Sequence, residues 1–110
     1  MELKRFIALS RDFAADSRFL EAIGMKSVVE GVGWAAFASD GGPEGPVELL
    51  SAQPMDGFSV APGFEVEDLD AIYTRLAEMR LTMADIIERP RGRYFFAQDH
   101  QGRFWHFFQS

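Results

Sequence analysis

Short runs of alternating apolar and polar residues fill most of this chain, and twice the spacing changes to that of a helix. Arg5-Phe-Ile-Ala-Leu9 reads as a strand. Asp12 follows, placed to cap a helix with its carboxylate. Phe13, Phe19, Leu20 and Ile23 supply the apolar face predicted for that helix. Gly24 can take the left-handed backbone at its end. Strands are predicted over 25–30, 32–38 and 46–52. The stretch from Ser39 to Pro46 is dense in Gly, Pro and Asp and reads as irregular structure.

The same order then recurs. Gly63-Phe-Glu-Val66 reads as a strand and Asp68 as the next cap. Leu69, Ile72, Tyr73, Leu76 and Met79 recur at helical spacing, the clearest such stripe in the sequence. Strands are predicted over 82–88, 93–98 and 103–109, with Asp99-His-Gln-Gly102 turning the last two into a hairpin. Asp12 and Asp68 lie 56 residues apart (68 minus 12), and the same shift carries Phe13 to Leu69, Ala15 to Ala71, Leu20 to Leu76 and Met25 to Leu81. A shared cap, helix length and strand order point to an internal duplication. Its units span about 4–52 and 61–109, joined by a linker of about 53–60 that contains Pro54 and Gly57. The fold class expected is α+β, in one domain covering 1–110.

Composition narrows the function. With 47% apolar and 14% aromatic residues the chain can bury a core, and eleven Phe suit strands with an aromatic interior. A net charge of -6 disfavours nucleic-acid backbones and would suit a cationic ligand; it also serves solubility. The absence of cysteine excludes disulfides, thiolate metal sites and a Cys nucleophile. No cationic-then-apolar leader opens the sequence and no apolar run approaches 18 residues, so a cytoplasmic location without membrane contact is expected. No Gly-rich phosphate loop is present.

Phe64-Glu-Val-Glu-Asp-Leu-Asp-Ala71, the helix reaching Met79, and Asp99-His-Gln-Gly-Arg-Phe-Trp-His106 together resemble the vicinal oxygen chelate superfamily of glyoxalases, bleomycin-resistance proteins and extradiol dioxygenases. Asp12 and the run Phe19 to Gly24, followed by paired strands, extend the resemblance over nearly the whole chain. It implies two tandem βαβββ units forming a curved mixed sheet, with helices on the convex side and a small-molecule cleft on the other. It also implies a homodimer, which would cover sheet edges and apolar area. The cleft can lie within one chain or be shared by two.

Metal enzymes of this superfamily carry His or Glu at four equivalent points, on the first and fourth strand of each unit. Here those points carry Arg5, Glu48, Ala61 and His106. Only Glu48 and His106 could coordinate, whereas a catalytic zinc or iron wants three protein ligands. Arg5 adds a permanent cation. No cofactor is therefore expected, a divalent metal being the alternative.

Strand alternation puts Phe104, His106 and Phe108 on one face of the last strand, and Trp105 with Phe107 on the other, beneath a helix. The resemblance puts His106 on the cleft side, together with Arg5, Ile7 and Leu9 and with Glu48 and Leu50. Arg5, Glu48, His106, Trp34, Phe104, Phe108 and Tyr94 are thus the candidate ligand-binding residues. Arg5 with Glu48 equally reads as a structural ion pair, His106 as a hydrogen-bonded core imidazole, and Trp34 as core packing. Arg89, Arg91 and Arg93 could clamp an anion or form a solvated loop around Pro90 and Gly92. His100 beside Asp99 has no Ser partner that would make a triad. No catalytic residue is assigned. The function implied is metal-free binding of a small molecule, sequestering an aromatic or cationic compound. The alternatives are a metal-dependent lyase, thiol transferase or dioxygenase with an atypical site, a metal-free enzyme using His106 or Glu48 as general base, and a dimeric interaction module with a filled cleft.

Overall fold

The computed structural model describes residues 1–39, 46–52, 60–89 and 92–110. The Gly- and Pro-rich bridge and the interior of the linker lie outside these residues. The chain divides into two compact units, Arg5–Val60 and Met1–Lys4 with Ala61–Ser110.

The first unit contains β1 (Glu2–Ser10) from Arg5 onward, α1 (Phe13–Ala22), β2 (Met25–Gly31), β3 (Trp34–Ser39) and β4 (Val47–Ser51), with its strands in the order β2-β3-β4-β1. β1 and β4 are parallel, and the other two pairings are antiparallel. The second unit repeats the plan with β5 (Val60–Glu65), α2 (Leu69–Glu78), β6 (Ile87–Arg89), β7 (Gly92–Gln98) and β8 (Phe104–Gln109), in the order β6-β7-β8-β5. β5 and β8 are its parallel pair. The chain is therefore α+β and built of two βαβββ units.

Both caps form as the sequence indicates. Asp12 accepts the Ala15 N–H, and Asp68 the Ala71 N–H, each at 3.0 Å. Ala35, Phe37 and Leu49 form a buried cluster under α1, against which Phe13, Leu20 and Met25 pack. Phe19 and Ile23, expected on that face, are 62% and 60% exposed. Phe13 and Leu20 are seven residues apart, close to two helical turns, whereas Phe19 and Ile23 form a separate i, i+4 stripe rotated away from them. In the second unit Val66, Leu69, Phe95 and Ala97 are buried with Ile72, Tyr73 and Leu76 around them. Met79, at the end of that stripe, is 52% exposed.

The strand expected over 82–88 is reduced to β6, preceded by a single bridge between Met83 and Ala97. Met83 and Ile86 both pack against the α2 cluster. Three residues apart in a regular strand they would face opposite sides, so the chain leaves strand geometry to bury both.

In β2 the register shifts between Ser27 and Val29, making Val28 an extra residue in a β-bulge. Val32 and Gly33 link β2 to β3, and Gly33 takes the positive φ of +74° that the turn requires. Neither described helix is long and apolar enough to cross a membrane.

Candidate functional site

In the first unit Ile7 pairs with Glu48 and Leu9 with Leu50. On the other side of β4, Ala36 pairs with Glu48 and Trp34 with Leu50. Paired residues share a face and alternate residues share it too. Arg5, Glu48 and Trp34 therefore stand on one face, opposite the Ala35, Phe37 and Leu49 surface that α1 covers. Arg5 Nη1 lies 2.9 Å from Glu48 Oε1, with the two side chains 14% and 11% exposed. Little water reaches this pair, so their contact replaces part of the hydration that each charge loses.

In the second unit Gly63 pairs with His106, Phe96 with His106 and Tyr94 with Phe108. These side chains share the face opposite Phe95, Ala97 and Phe107, which contribute to the α2 cluster. The His106 imidazole lies 4.8 Å from the Phe96 ring centre, 5.0 Å from Tyr94 and 5.8 Å from Phe108. It is 2% exposed. Phe104 belongs to the same face by alternation on β8. Tyr94 is thus beside His106, and Phe96 is a neighbour that sequence reasoning missed. The alternation of Tyr94 and Phe96 against Phe108 and His106 is the pattern that could have revealed it.

The two registers are equivalent. Glu48 stands opposite Ile7 and His106 opposite Gly63. Positions 7 and 63 are separated by 56 residues, the spacing of the two caps (63 minus 7). Glu48 and His106 thus hold matching stations in their own units, as do Arg5 and Ala61. Ala61 is fully buried.

Other candidates have different roles. Arg93 is on the α2 side of β7, where its guanidinium donates to both Asp70 oxygens at 3.0 Å. This holds the Asp70 carboxyl below its ordinary range and raises Arg93. Arg91 and the Arg89 side chain lie outside the described residues. His100 is exposed in the last turn. Its neighbour Asp99 organises that turn, accepting from Trp105 Nε1 at 3.0 Å, Arg103 Nε at 2.7 Å and the N–H groups of Gln101 and Arg103. The Trp105 indole and then Arg103 hold the Asp99 carboxyl far below the usual carboxylate range. Trp105 stacks on Phe64 at 6.0 Å, while Phe107 joins the α2 cluster. The expectation that both pack beneath a helix is met by Phe107.

No family model and no curated protein matches the sequence. Solved structures do. A glyoxalase/bleomycin resistance protein/dioxygenase superfamily member from Vibrio splendidus 12B01 superposes with a TM-score of 0.68 at 20% identity, covering 96% of this chain and 97% of that one. Methylmalonyl-CoA epimerase from Mycobacterium tuberculosis gives 0.72 at 18% identity, over 97% and 86%. The Mn(II)-bound glyoxalase from Novosphingobium aromaticivorans gives 0.70 at 18%, over 98% of this chain and 38% of its own.

The chain has the vicinal oxygen chelate fold.

Within that fold the residues at the four equivalent points do not suit a divalent metal. Arg5 and Ala61 offer no ligand atom, and the Glu48 carboxylate is already bound by a guanidinium. A metal ion approaching Glu48 would meet the Arg5 cation at close range in a poorly hydrated setting. Among the described residues no three His, Cys, Asp or Glu side chains gather into a metal-binding group.

Proposed function

We propose that this protein binds a small planar compound, aromatic and cationic, without using a metal. The Arg5–Glu48 pair carries this reading: at 2.9 Å the guanidinium engages the one carboxylate among the four stations. Aromatic side chains support it in each unit taken by itself: half-buried Tyr94 and Phe96 stand beside His106 in one, and half-buried Trp34 stands on the Glu48 face of the other. Apolar and aromatic walls with few polar groups are the usual make-up of a small-molecule site. The net charge of -6 favours a cation at long range. In this reading the protein is a cytoplasmic homodimer. Exposed Phe19 and Ile23 offer apolar area to a second copy.

The test is titration with a panel of planar cationic dyes and drugs, followed by tryptophan fluorescence. Saturable binding at micromolar concentration, unchanged by chelator, is the expected result. Stoichiometric uptake of nickel, zinc, manganese or iron accompanied by turnover would displace the proposal in favour of an enzyme with an atypical site.

A second reading is supported by burial. His106 and Phe108 are each 2% exposed, as they would be in an interaction module whose interior is filled by its own side chains. It predicts fluorescence indifferent to every compound in the panel, in a protein that still dimerises.

A further inference from the structure

Gly31 and Trp34 are cross-strand partners at the closed end of the β2–β3 hairpin, so both face the Glu48 side of the sheet. A Cβ placed on Gly31 would fall 2.0 Å from Trp34 Nε1, 2.5 Å from Cε2 and 2.9 Å from Cδ1. These are three adjoining atoms of the five-membered ring. The indole therefore lies directly on the bare backbone of Gly31, in the volume any other residue would fill.

Backbone geometry gives no other reason for glycine here. Gly24, Gly33, Gly92 and Gly102 have positive φ, and Gly31 does not. Alanine could adopt its conformation, and glycine in a strand is ordinarily the less stable choice. What glycine supplies is the space occupied by the indole. Trp34 itself is half-buried. Glu48 is its diagonal neighbour on β4, because Trp34 pairs with Leu50 and Glu48 is two residues before Leu50. The face of an indole attracts a flat cation through its ring quadrupole.

We infer that Gly31 is a positioning residue: it seats the Trp34 indole flat against β2, and that pose makes the platform on which a planar aromatic cation stacks. The stacking rests on the binding function proposed above. The seating does not.

The experiment uses the full chain carrying Trp105→Phe, which leaves Trp34 as its only indole because the sequence has two Trp. Gly31→Ala, Trp34→Ala and their combination are made in that background. Emission, acrylamide quenching and Tm are measured, with binding of an acridinium dye. Gly31→Ala should shift Trp34 emission to the red, increase its quenching and lower Tm. It should weaken dye binding about tenfold, the scale of one lost aromatic stacking contact. In the Trp34→Ala background the same substitution should raise Tm and leave dye binding unchanged, because the methyl then meets no ring. Rescue of a poorly folding Gly31→Ala protein by Trp34→Ala supports the seating equally. Unchanged emission, quenching and Tm on Gly31→Ala would overturn it, as would failure of Trp34→Ala to reverse the Tm effect. A parent that ignores the dye would count against the binding function, while the emission and Tm cycle still decides the role of Gly31. A parent that binds while Gly31→Ala binds equally well would refute the platform and leave the binding function standing.

Discussion

Gly24 and Arg80 end their helices in the same way: 56 residues apart (80 minus 24), each takes a positive φ, +101° and +58°. The Gly24 N–H reaches the Glu21 carbonyl at 3.0 Å, and the Arg80 N–H reaches that of Ala77 at 2.9 Å. Glycine adopts this backbone without steric cost, whereas in arginine the Cβ crowds the carbonyl. Arg80→Gly should stabilise the protein by about 0.5–1 kcal/mol, the loss of a side chain being offset in part by the greater freedom of the unfolded chain. Gly24→Ala should destabilise it by about 1 kcal/mol. Thermal unfolding of both variants checks the sign at each helix end.

Arg5 and Glu48 form an ion pair that is largely shielded from water. Arg5→Ala leaves a carboxylate in poorly hydrated surroundings and should cost about 3 kcal/mol in denaturant unfolding. Replacing both residues together, as Arg5→Met with Glu48→Leu, should recover most of that loss. A double variant as unstable as the single one would mean that the pair does more than satisfy its own charges.

Asp99 should make stability depend on acid. Its folded-state carboxyl titrates below the ordinary carboxylate value because the Trp105 indole and Arg103 donate to its charged form. The contribution is therefore complete above about pH 4 and is lost as pH falls below that towards the folded value. Asp70, lowered by Arg93, acts in the same direction. Asp99→Asn should flatten the acid limb of the stability profile and alter Trp105 emission, since an amide nitrogen cannot accept from an indole N–H. Denaturation between pH 2 and 6 reads the first effect.

Gln109 caps α2 from β8. Its side-chain oxygen accepts the Leu69 N–H at 2.9 Å, at the first residue of the helix, and Leu69 is fully buried. Gln109→Ala should cost about 1 kcal/mol by leaving that N–H without an acceptor. Gln109→Glu should retain most of the stability, because a carboxylate also accepts at a helix start. Urea unfolding of the two variants separates loss of the acceptor from loss of packing.

The sequence revealed elements through short-range signals and failed where distant partners decide. Asp12 and Asp68 announce their helices because capping is local, and both helices begin just after them. Gly24 marks a helix end for the same reason, whereas Gly33, expected inside a strand over 32–38, lies in the turn before β3. Phe19 and Met79 were misplaced because apolar character alone does not fix which side of a helix meets a sheet. Residues 82–86 misled because burial of Met83 and Ile86 outweighs extended geometry. At the candidate site, alternation grouped His106 with Phe108, and the family resemblance brought Arg5 together with Glu48. Neither could show that Gln109 would cap a helix 40 residues earlier, or that Gly31 lies under an indole.

The extra residue Val28 works as a phase shifter for β2. Met25 and Gly31 are six positions apart and would emerge on one side of an uninterrupted strand, yet Met25 packs in the α1 cluster and Gly31 meets Trp34 on the reverse. One inserted amino acid lets a single ribbon serve the hydrophobic interior with its first half and the Trp34 side of the sheet with its second. Shortening the ribbon there would force a choice between the two, so evolution or engineering can retune either end only while that insertion stays.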